Sequence, residues 1–152
     1  MSGNMKLFSD TENMHNRVRH AYEKIKWFVP EDVRHGRLLD IGCGTGNGVI
    51  AALQHGATFA VGVDRNFAEF GHEYDVREFS DLCIAFGVEP KKALLLEANI
   101  FESRFAPQSF DYAIMLDSME HVPSPERFIK YAYECLVGGG GGIFNFYLSF
   151  VL

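Results

Sequence analysis

The chain contains 152 residues, enough for one domain with a substantial core and too few for a second domain of ordinary size. Its 14 Lys and Arg residues face 20 Asp and Glu residues, giving a formal net charge of -6, and no basic run could neutralise nucleic-acid phosphates, so nucleic acid is not expected as a partner. No apolar run reaches the roughly 18 residues that a membrane helix needs, and the N-terminal stretch lacks the core of a signal peptide.

The N-terminal part of the chain predicts an amphipathic helix over residues 9–29. Ser9 and Glu12 have the spacing of a capping box, apolar residues recur at helical period, and Pro30 ends the pattern. We expect this helix to cover one face of a sheet.

Beyond this helix, short apolar segments that predict strands alternate with segments that predict helices. The strand segments are RLLDIG, TFAVGVD, KALLLEANI, FDYAIMLD and GGIFNFYLSFVL. The first predicted helix between them is NGVIAALQHG, and the last is SPERFIKYAYECL with Ser124 as N-cap. The middle one is opened by Asn66 and Glu69, which have capping spacing, and ends at Gly87. Continuous apolar strands between helices are typical of a parallel sheet buried on both faces. The predicted fold class is therefore α/β, a doubly wound parallel sheet, in a single domain (1–152) with its core at 36–152.

The first predicted strand runs into a glycine-rich turn, DIGCGTGNG. In open parallel sheets ligands bind at the carboxyl ends of the strands, and glycines there let the backbone approach a ligand closely. The dinucleotide fingerprint G-x-G-x-x-G is not met, because Asn47 takes the sixth place. Asp40, just before the glycines, is unfavourable beside a pyrophosphate and suits a ligand with a positively charged end.

These segments resemble the motifs of class I S-adenosylmethionine-dependent methyltransferases. LLDIGCGTGNG resembles the first motif, VGVDRN the second, with its acid about 20 residues past the glycines, and LEANIF lies in the place of the third. Residues 110–140 are similar to the family's fourth strand, its E-H-V/L segment and the helix and turn that follow. The resemblance covers residues 37–147 and implies a Rossmann-like methyltransferase fold with strand order 3-2-1-4-5, without the family's last strands.

The resemblance also implies which residues bind the cofactor, S-adenosylmethionine. Asp40 would meet the ammonium group of its methionine moiety, and Asp64 would accept hydrogen bonds from both ribose hydroxyls. Asn99 stands where the family often has an Asp that accepts from the adenine amino group, and Asn keeps an acceptor oxygen; a turn-forming Asn is the alternative. The other implied contacts are the backbone of Gly42, Cys43, Gly44 and Gly46 at the methionine moiety, Arg65 and Asn66 beside the adenosine, the Ile100 backbone N–H at a ring nitrogen, and the Leu116 backbone closing the pocket.

The implied chemistry is transfer of the cofactor's electrophilic methyl group to a nucleophile held in line with it in a dry pocket. His121 is the candidate general base, and a loop histidine that caps the following turn is the alternative. Asp117, Glu120 and His121 resemble a metal-binding triplet of a few family branches, but those branches need a further histidine downstream and the chain has none, so no metal is expected. The EHVPSPE segment favours a small-molecule acceptor by analogy with family branches.

The three cysteines bear on the cellular environment. Cys43, Cys83 and Cys135 are widely spaced, odd in number and not in CxxC spacing, so they predict neither a disulfide framework nor a zinc site and favour a reducing cytoplasm. The side chain of Cys43 is expected to pack against the sheet. The histidines other than His121 are expected on the solvated surface.

Two other functions remain open from the sequence. A NAD-dependent oxidoreductase is disfavoured by Asp40 and Asn47. A module that binds cofactor or a partner without methyl transfer is suggested by the C-terminus, where five glycines precede IFNFYLSFVL and nothing encodes the helix and strand pair that follow in the family. That last segment would be an outer strand with apolar residues on both faces. We therefore expect either a shortened form of a longer methyltransferase or a strand edge buried by a second copy or another partner chain.

Overall fold

The computed structural model describes residues 6–65, 76–116, 122–136 and 146–148. Its helices are α1 (Lys6–Phe28), α2 (Glu31–Arg34), α3 (Asn47–Gln54), α4 (Val76–Ala85) and α5 (Pro125–Cys135), and its strands are β1 (Arg37–Ile41), β2 (Phe59–Asp64), β3 (Ala93–Glu97), β4 (Tyr112–Met115) and β5 (Phe146–Leu148). Short 3-10 helices at Pro90–Lys92 and Ile100–Glu102 flank β3. Within these ranges, no helix has both the length and the apolar character needed to cross a membrane.

The described strands form one parallel sheet in the order β3-β2-β1-β4-β5, which confirms the predicted order. β1 is central, with Leu39 opposite Val61 of β2 and Ala113 of β4. The chain builds outward from β1 to β3 and then returns to the other side of β1. In sheets of this type ligands bind at the carboxyl ends of the strands where the order reverses, here β1 and β4.

Each face of the sheet is covered by its own hydrophobic core. Leu38 belongs to the core under α1 and α3, whereas its neighbour Leu39 belongs to the core under α5. Successive side chains of a strand point to opposite faces, so a strand buried on both sides is apolar throughout. The continuous apolar segments in the sequence have this physical cause.

The helix ends depart in part from the predictions. α1 is already helical at Lys6, so Ser9 lies inside the helix and the predicted capping box is wrong. The three-residue spacing of Ser9 and Glu12 is ambiguous, because residues one turn apart inside a helix have the same spacing. α5 begins at Pro125 after Ser124, as predicted, although the Ser124 side chain makes no capping hydrogen bond. Gly87 follows α4 with a φ of 73°, which confirms its predicted place. The predicted helix start at Asn66 and Glu69 lies outside the described residues.

β5 is an outer strand of the sheet, as predicted. It pairs in parallel with β4, with Ala113 opposite Phe146 and Met115 opposite Leu148. The glycine run before it lies outside the described residues.

Candidate functional site

The turn after β1 contains three glycines and begins against the carboxyl end of β2. Gly42, Gly44 and Gly46 have φ values of 71°, 51° and 86°, in the left-handed region that favours glycine. The backbone N–H groups of Gly42 and Cys43 both donate to the Val63 carbonyl oxygen, at 2.8 and 3.2 Å. The turn is thereby fixed to β2, with its backbone along the wall of a cleft.

Asp40 lies at the carboxyl end of β1, buried beside this turn. The residue is 2% exposed, and its Oδ1 has no hydrogen-bond partner. Burial, together with the negative charge of Asp64, raises the pKa of Asp40 well above its usual range. Gly48 of α3 leaves room for the carboxyl group, since a Cβ at position 48 would collide with Oδ2. A buried acceptor without a protein partner is suited to a donor supplied by a ligand.

Asp64 ends β2 and reaches back to the glycine turn. Its Oδ2 accepts a hydrogen bond from the Gly44 N–H at 2.9 Å. The carboxylate therefore stabilises the turn while it also lines the cleft. With Asp40 it places two acidic groups in one cleft wall, an arrangement that suits a ligand with a cation and hydrogen-bond donors.

Asn99 follows β3 and forms a turn with its own side chain. Its Oδ1 accepts a hydrogen bond from the Phe101 N–H at 3.1 Å, and its backbone carbonyl accepts from the Ser103 hydroxyl at 3.1 Å. Ile100 beside it is buried. The Asn99 Oδ1 thus stabilises the turn with one lone pair and keeps a second lone pair as an acceptor, beside the donors of Nδ2.

Cys43 packs against the sheet, as expected. Its side chain occupies the space beside Gly62, where an added Cβ would lie 2.7 Å from the Sγ. Burial and the charges of Asp40 and Asp64 raise the pKa of the Cys43 thiol well above its usual range. Because the thiolate is the nucleophilic form, this cysteine is unsuited to nucleophilic catalysis.

The cleft has a volume of about 830 Å³, within the range of small-molecule sites. The predicted binding residues that line it are Asp40, Gly42, Cys43, Gly44, Asp64, Arg65, Asn99, Ile100 and Leu116. Gly46 is not among the residues that line the cleft. It packs beside Phe79, because a Cβ added at Gly46 would lie 2.6 Å from the Phe79 ring. Asn66 and His121, with Asp117 and Glu120, lie outside the described residues.

Two helices supply cleft residues that the sequence did not identify. Arg17 and His20 line the cleft from α1, and His20 is exposed to solvent, as expected. From α5, the Arg127 guanidinium lies 4.0 Å from the centre of the Phe101 ring, and Phe128 packs on the same ring at 4.7 Å between centroids. No local pattern marks these residues, because the packing of the helices on the sheet brings them to the cleft.

His55 also departs from expectation, because it is half-buried and not solvated. Its ring stacks on Tyr22 at 3.7 Å between centroids, its Nε2 lies 2.8 Å from the Tyr22 carbonyl oxygen, and burial lowers its pKa. This contact fixes α1 against the end of α3. It therefore helps to hold Arg17 and His20 at the cleft.

Metal-binding residues do not cluster in the part of the chain that is described, where no three His, Cys, Asp or Glu side chains group together. The cysteines in this part, Cys43, Cys83 and Cys135, are buried and unpaired.

Comparison with known proteins gives a family for the chain. A family model described as a methyltransferase domain matches residues 11–148. A ubiquinone biosynthesis O-methyltransferase of Pseudomonas entomophila is 32% identical over 109 residues, and one of Pseudomonas fluorescens strain SBW25 is 31% identical. Each match covers 72% of this chain and 43% of the relative, so the chain spans less than half the length of these curated relatives.

Solved structures share the fold. An S-adenosylmethionine-dependent methyltransferase from Mesorhizobium loti aligns with a TM-score of 0.55 at 22% identity, over 76% of this chain and 48% of the other. The [4+2]-cyclase SpnF aligns with a TM-score of 0.54 at 23% identity, over 68% of this chain and 36% of the other. The fold thus serves proteins named for different reactions, and function has to be argued from the cleft.

Proposed function

This chain belongs to the methyltransferase family whose model spans residues 11–148, and from that premise we propose that it binds S-adenosylmethionine and transfers a methyl group to a small-molecule acceptor. Asp40 and the glycine turn would hold the methionine moiety, Asp64 the ribose, and the turn after β3 the adenine. Arg65 and Asn66 would flank the adenosine, and Leu116 would close the cleft.

The observation that carries this proposal is the unpaired, buried carboxyl group of Asp40 in the cleft wall. Its Oδ1 lacks a partner within the protein, and burial raises the pKa of Asp40 well above its usual range. A primary ammonium group of a ligand would donate to this oxygen and supply the compensating charge. A pyrophosphate in the same place would add negative charge beside this carboxyl group. The site therefore fits a ligand with an amino-acid moiety better than a dinucleotide.

When bound, S-adenosylmethionine supplies an electrophilic methyl group on a sulfonium. The residues of this chain would exclude water and orient the acceptor, which is catalysis by proximity. The curated relatives are named as O-methyltransferases, and a hydroxyl acceptor benefits from a general base. His121 is the base proposed from the sequence, and His20 is a second candidate, because it lines the cleft from α1.

We also propose a cytoplasmic location and a cover for the outer strand β5. The buried, unpaired state of Cys43, Cys83 and Cys135 supports a reducing compartment. The edge position of β5 supports a second copy or another partner chain packed on it, because an open strand edge is an aggregation hazard.

A second candidate function is binding of the cofactor without methyl transfer. It is motivated by the share of the curated relatives that the chain spans, 43% of their length, because the reaction for which they are named belongs to the longer proteins.

The test separates three outcomes. Thermal unfolding of the chain is measured with S-adenosylhomocysteine and, in parallel, with NAD; a ligand at about 100 times its Kd should raise stability by about 2.7 kcal/mol. We expect stabilisation by S-adenosylhomocysteine alone, and stabilisation by NAD alone would overturn the proposal. Transfer of labelled methyl groups into a fractionated cell extract then distinguishes an enzyme from a binding module, since a module would bind and label no fraction.

A further inference from the structure

The cleft has helical walls on opposite faces of the sheet. α1 packs with α3 on one core and α5 packs on the other. The side formed by α1, here called the α1 wall, consists of Arg17, His20 and Ala21. The Thr45 hydroxyl of the glycine turn lies 3.7 Å from the Met14 Sδ of α1. The α1 wall therefore adjoins the glycine turn, at the end of the cleft where the methionine moiety is proposed to bind.

The charge of the cleft is opposite in sign to that of the whole chain. The chain has 20 acidic and 14 basic side chains, whereas the described residues that line the cleft include two aspartates, Asp40 and Asp64, and three arginines, Arg17, Arg65 and Arg127. S-adenosylmethionine has a net positive charge, because its sulfonium and ammonium groups outweigh its single carboxylate. Since like charges repel, this excess of arginines does not favour the cofactor. It favours a second ligand that is negatively charged.

Arg17 is the arginine whose charge the cofactor and the fold leave unused. Arg127 stacks on the Phe101 ring at 4.0 Å, and Arg65 follows Asp64 and is proposed to flank the adenosine. Arg17 is exposed on the α1 wall, and no carboxylate among the described residues forms an ion pair with it. A guanidinium has a planar edge of donors that matches a carboxylate or a phosphate. The side chain is thus available to an acidic group of a ligand.

We propose that the methyl acceptor carries an acidic group, a carboxylate or a phosphate, and that Arg17 is a specificity-determining residue that pairs with it. The inference rests on the proposed methyl transfer. A negatively charged acceptor also offsets the positive charge that the cofactor brings into the cleft. His20 lies one helical turn beyond Arg17 on the same face of α1. An acceptor held at Arg17 is therefore placed along the wall that carries this candidate base.

The first experiment determines the charge of the acceptor before its identity is known. The small molecules of a cell extract are separated at neutral pH on an anion-exchange resin into a retained and an unretained pool. Each pool is incubated with the chain and S-adenosylmethionine labelled in the methyl group. We expect the label to enter the retained pool, and phosphatase treatment of that pool distinguishes a phosphate from a carboxylate. At least as much label in the unretained pool would overturn the inference. Label in neither pool would overturn the proposed methyl transfer itself.

The second experiment compares Arg17→Gln with the matched control Arg19→Gln. Arg19 is exposed on the same helix but does not line the cleft, so each variant removes one positive charge from α1. R17Q should lower the initial rate of label transfer to the retained pool by about three- to tenfold, because one charge-assisted contact is lost. R19Q should leave that rate unchanged, and Arg17→Lys, which keeps the charge, should recover part of it.

The affinity for S-adenosylhomocysteine separates a contact with the acceptor from a contact with the cofactor. Titration calorimetry should give the same Kd for R17Q and the wild type. A loss of this affinity in R17Q as large as the loss of transfer would show that Arg17 pairs with the cofactor's own carboxylate. An equal loss of transfer in R17Q and R19Q would show an effect of overall charge. Either result would overturn the inference and leave the proposed function standing.

Discussion

The two ends of the sheet hold aspartates in opposite electrostatic states. At the amino end, the Asp111 carboxyl group accepts hydrogen bonds from the Arg37 side chain, from Nε at 2.9 Å and Nη2 at 3.1 Å, and from the Arg37 backbone N–H at 2.7 Å. The guanidinium lowers the pKa of Asp111. At the carboxyl end, Asp40 is buried with an unpaired Oδ1 and a raised pKa. One carboxyl group is satisfied by the fold and the other is suited to a ligand. The amino end therefore contributes to stability and the carboxyl end to binding.

Asp40→Asn should have the largest effect, and it should fall on binding alone. The substitution removes the negative charge that would pair with the ligand's ammonium group, and a charged hydrogen bond contributes about 1.5–3 kcal/mol, or about 10- to 150-fold in affinity. Because the carboxyl group lacks a full set of partners in the free protein, the melting temperature should not fall. Calorimetric titration with S-adenosylhomocysteine and thermal unfolding measure the two effects. Unchanged affinity, or a loss of stability matching the loss of affinity, would contradict the assignment.

Two glycine-to-alanine substitutions, one at each end of the sheet, test whether crowding an aspartate affects ligand binding only at the carboxyl end. At position 48, a Cβ would collide with Asp40 Oδ2 and lie 2.8 Å from the Ile114 Cδ1, so Gly48→Ala should lower both stability, by about 1–3 kcal/mol, and ligand affinity.

The counterpart at the amino end is Gly36→Ala, whose Cβ would lie 2.6 Å from the Asp111 Cβ. It should lower stability by a similar amount and leave ligand affinity unchanged. Urea unfolding and calorimetric titration of both variants provide the comparison. A loss of affinity in G36A equal to that in G48A would show that the two ends are not separate.

Much of the carboxyl end could be predicted because its signals are local. Continuous apolar strands that alternate with helices predict the parallel sheet, and an acid at each of two strand ends predicts that Asp40 and Asp64 lie at the same edge, where both line the cleft. The strand order was implied by the resemblance to the methyltransferase family, because the alternation of strands and helices alone leaves that order open.

The remaining features depend on contacts between distant segments. Arg37 and Asp111 are 74 residues apart, and no local pattern joins them. His20 reaches the cleft only through the packing of α1. The hydrogen bond from the Phe101 N–H to the Asn99 Oδ1 depends on the shape of the turn after β3.

Because of Asp40, the free energy of unfolding and the ligand affinity should change with pH in opposite directions. Burial and the charge of Asp64 raise its pKa in the folded, unliganded state, so the folded protein retains a proton that the unfolded chain loses above about pH 3.9. The stability that this group contributes is thus present below that pH and lost as the pH rises through the raised pKa. Binding of an ammonium group requires the carboxylate, so affinity for S-adenosylhomocysteine should rise over the same window, by up to about tenfold per pH unit, with release of a proton.

Titration calorimetry with S-adenosylhomocysteine in buffers of different ionisation enthalpy measures the number of protons released on binding. Other titratable groups near Asp40 are Asp64, Cys43 and Tyr112, and His20 lines the same cleft. Asp40→Asn should abolish the proton release, whereas His20→Gln should keep it. Release that persists in D40N and disappears in H20Q would assign the effect to the histidine instead.

Asp111→Asn should have the smallest effect, and only on stability. The Arg37 and Asp111 side chains are 41% and 33% exposed, so solvent screens the pair and its loss should cost about 1 kcal/mol at neutral pH, with no change in ligand affinity. Since the pKa of Asp111 is lowered in the folded state, its contribution is present above the unfolded value of about 3.9 and is lost as the pH falls through the folded pKa. Urea unfolding should therefore show the wild type and D111N converging in acid, as far as the folded state persists. A constant difference across that range would mean that the neutral Asn disturbs packing and that the ion pair contributes no stability of its own.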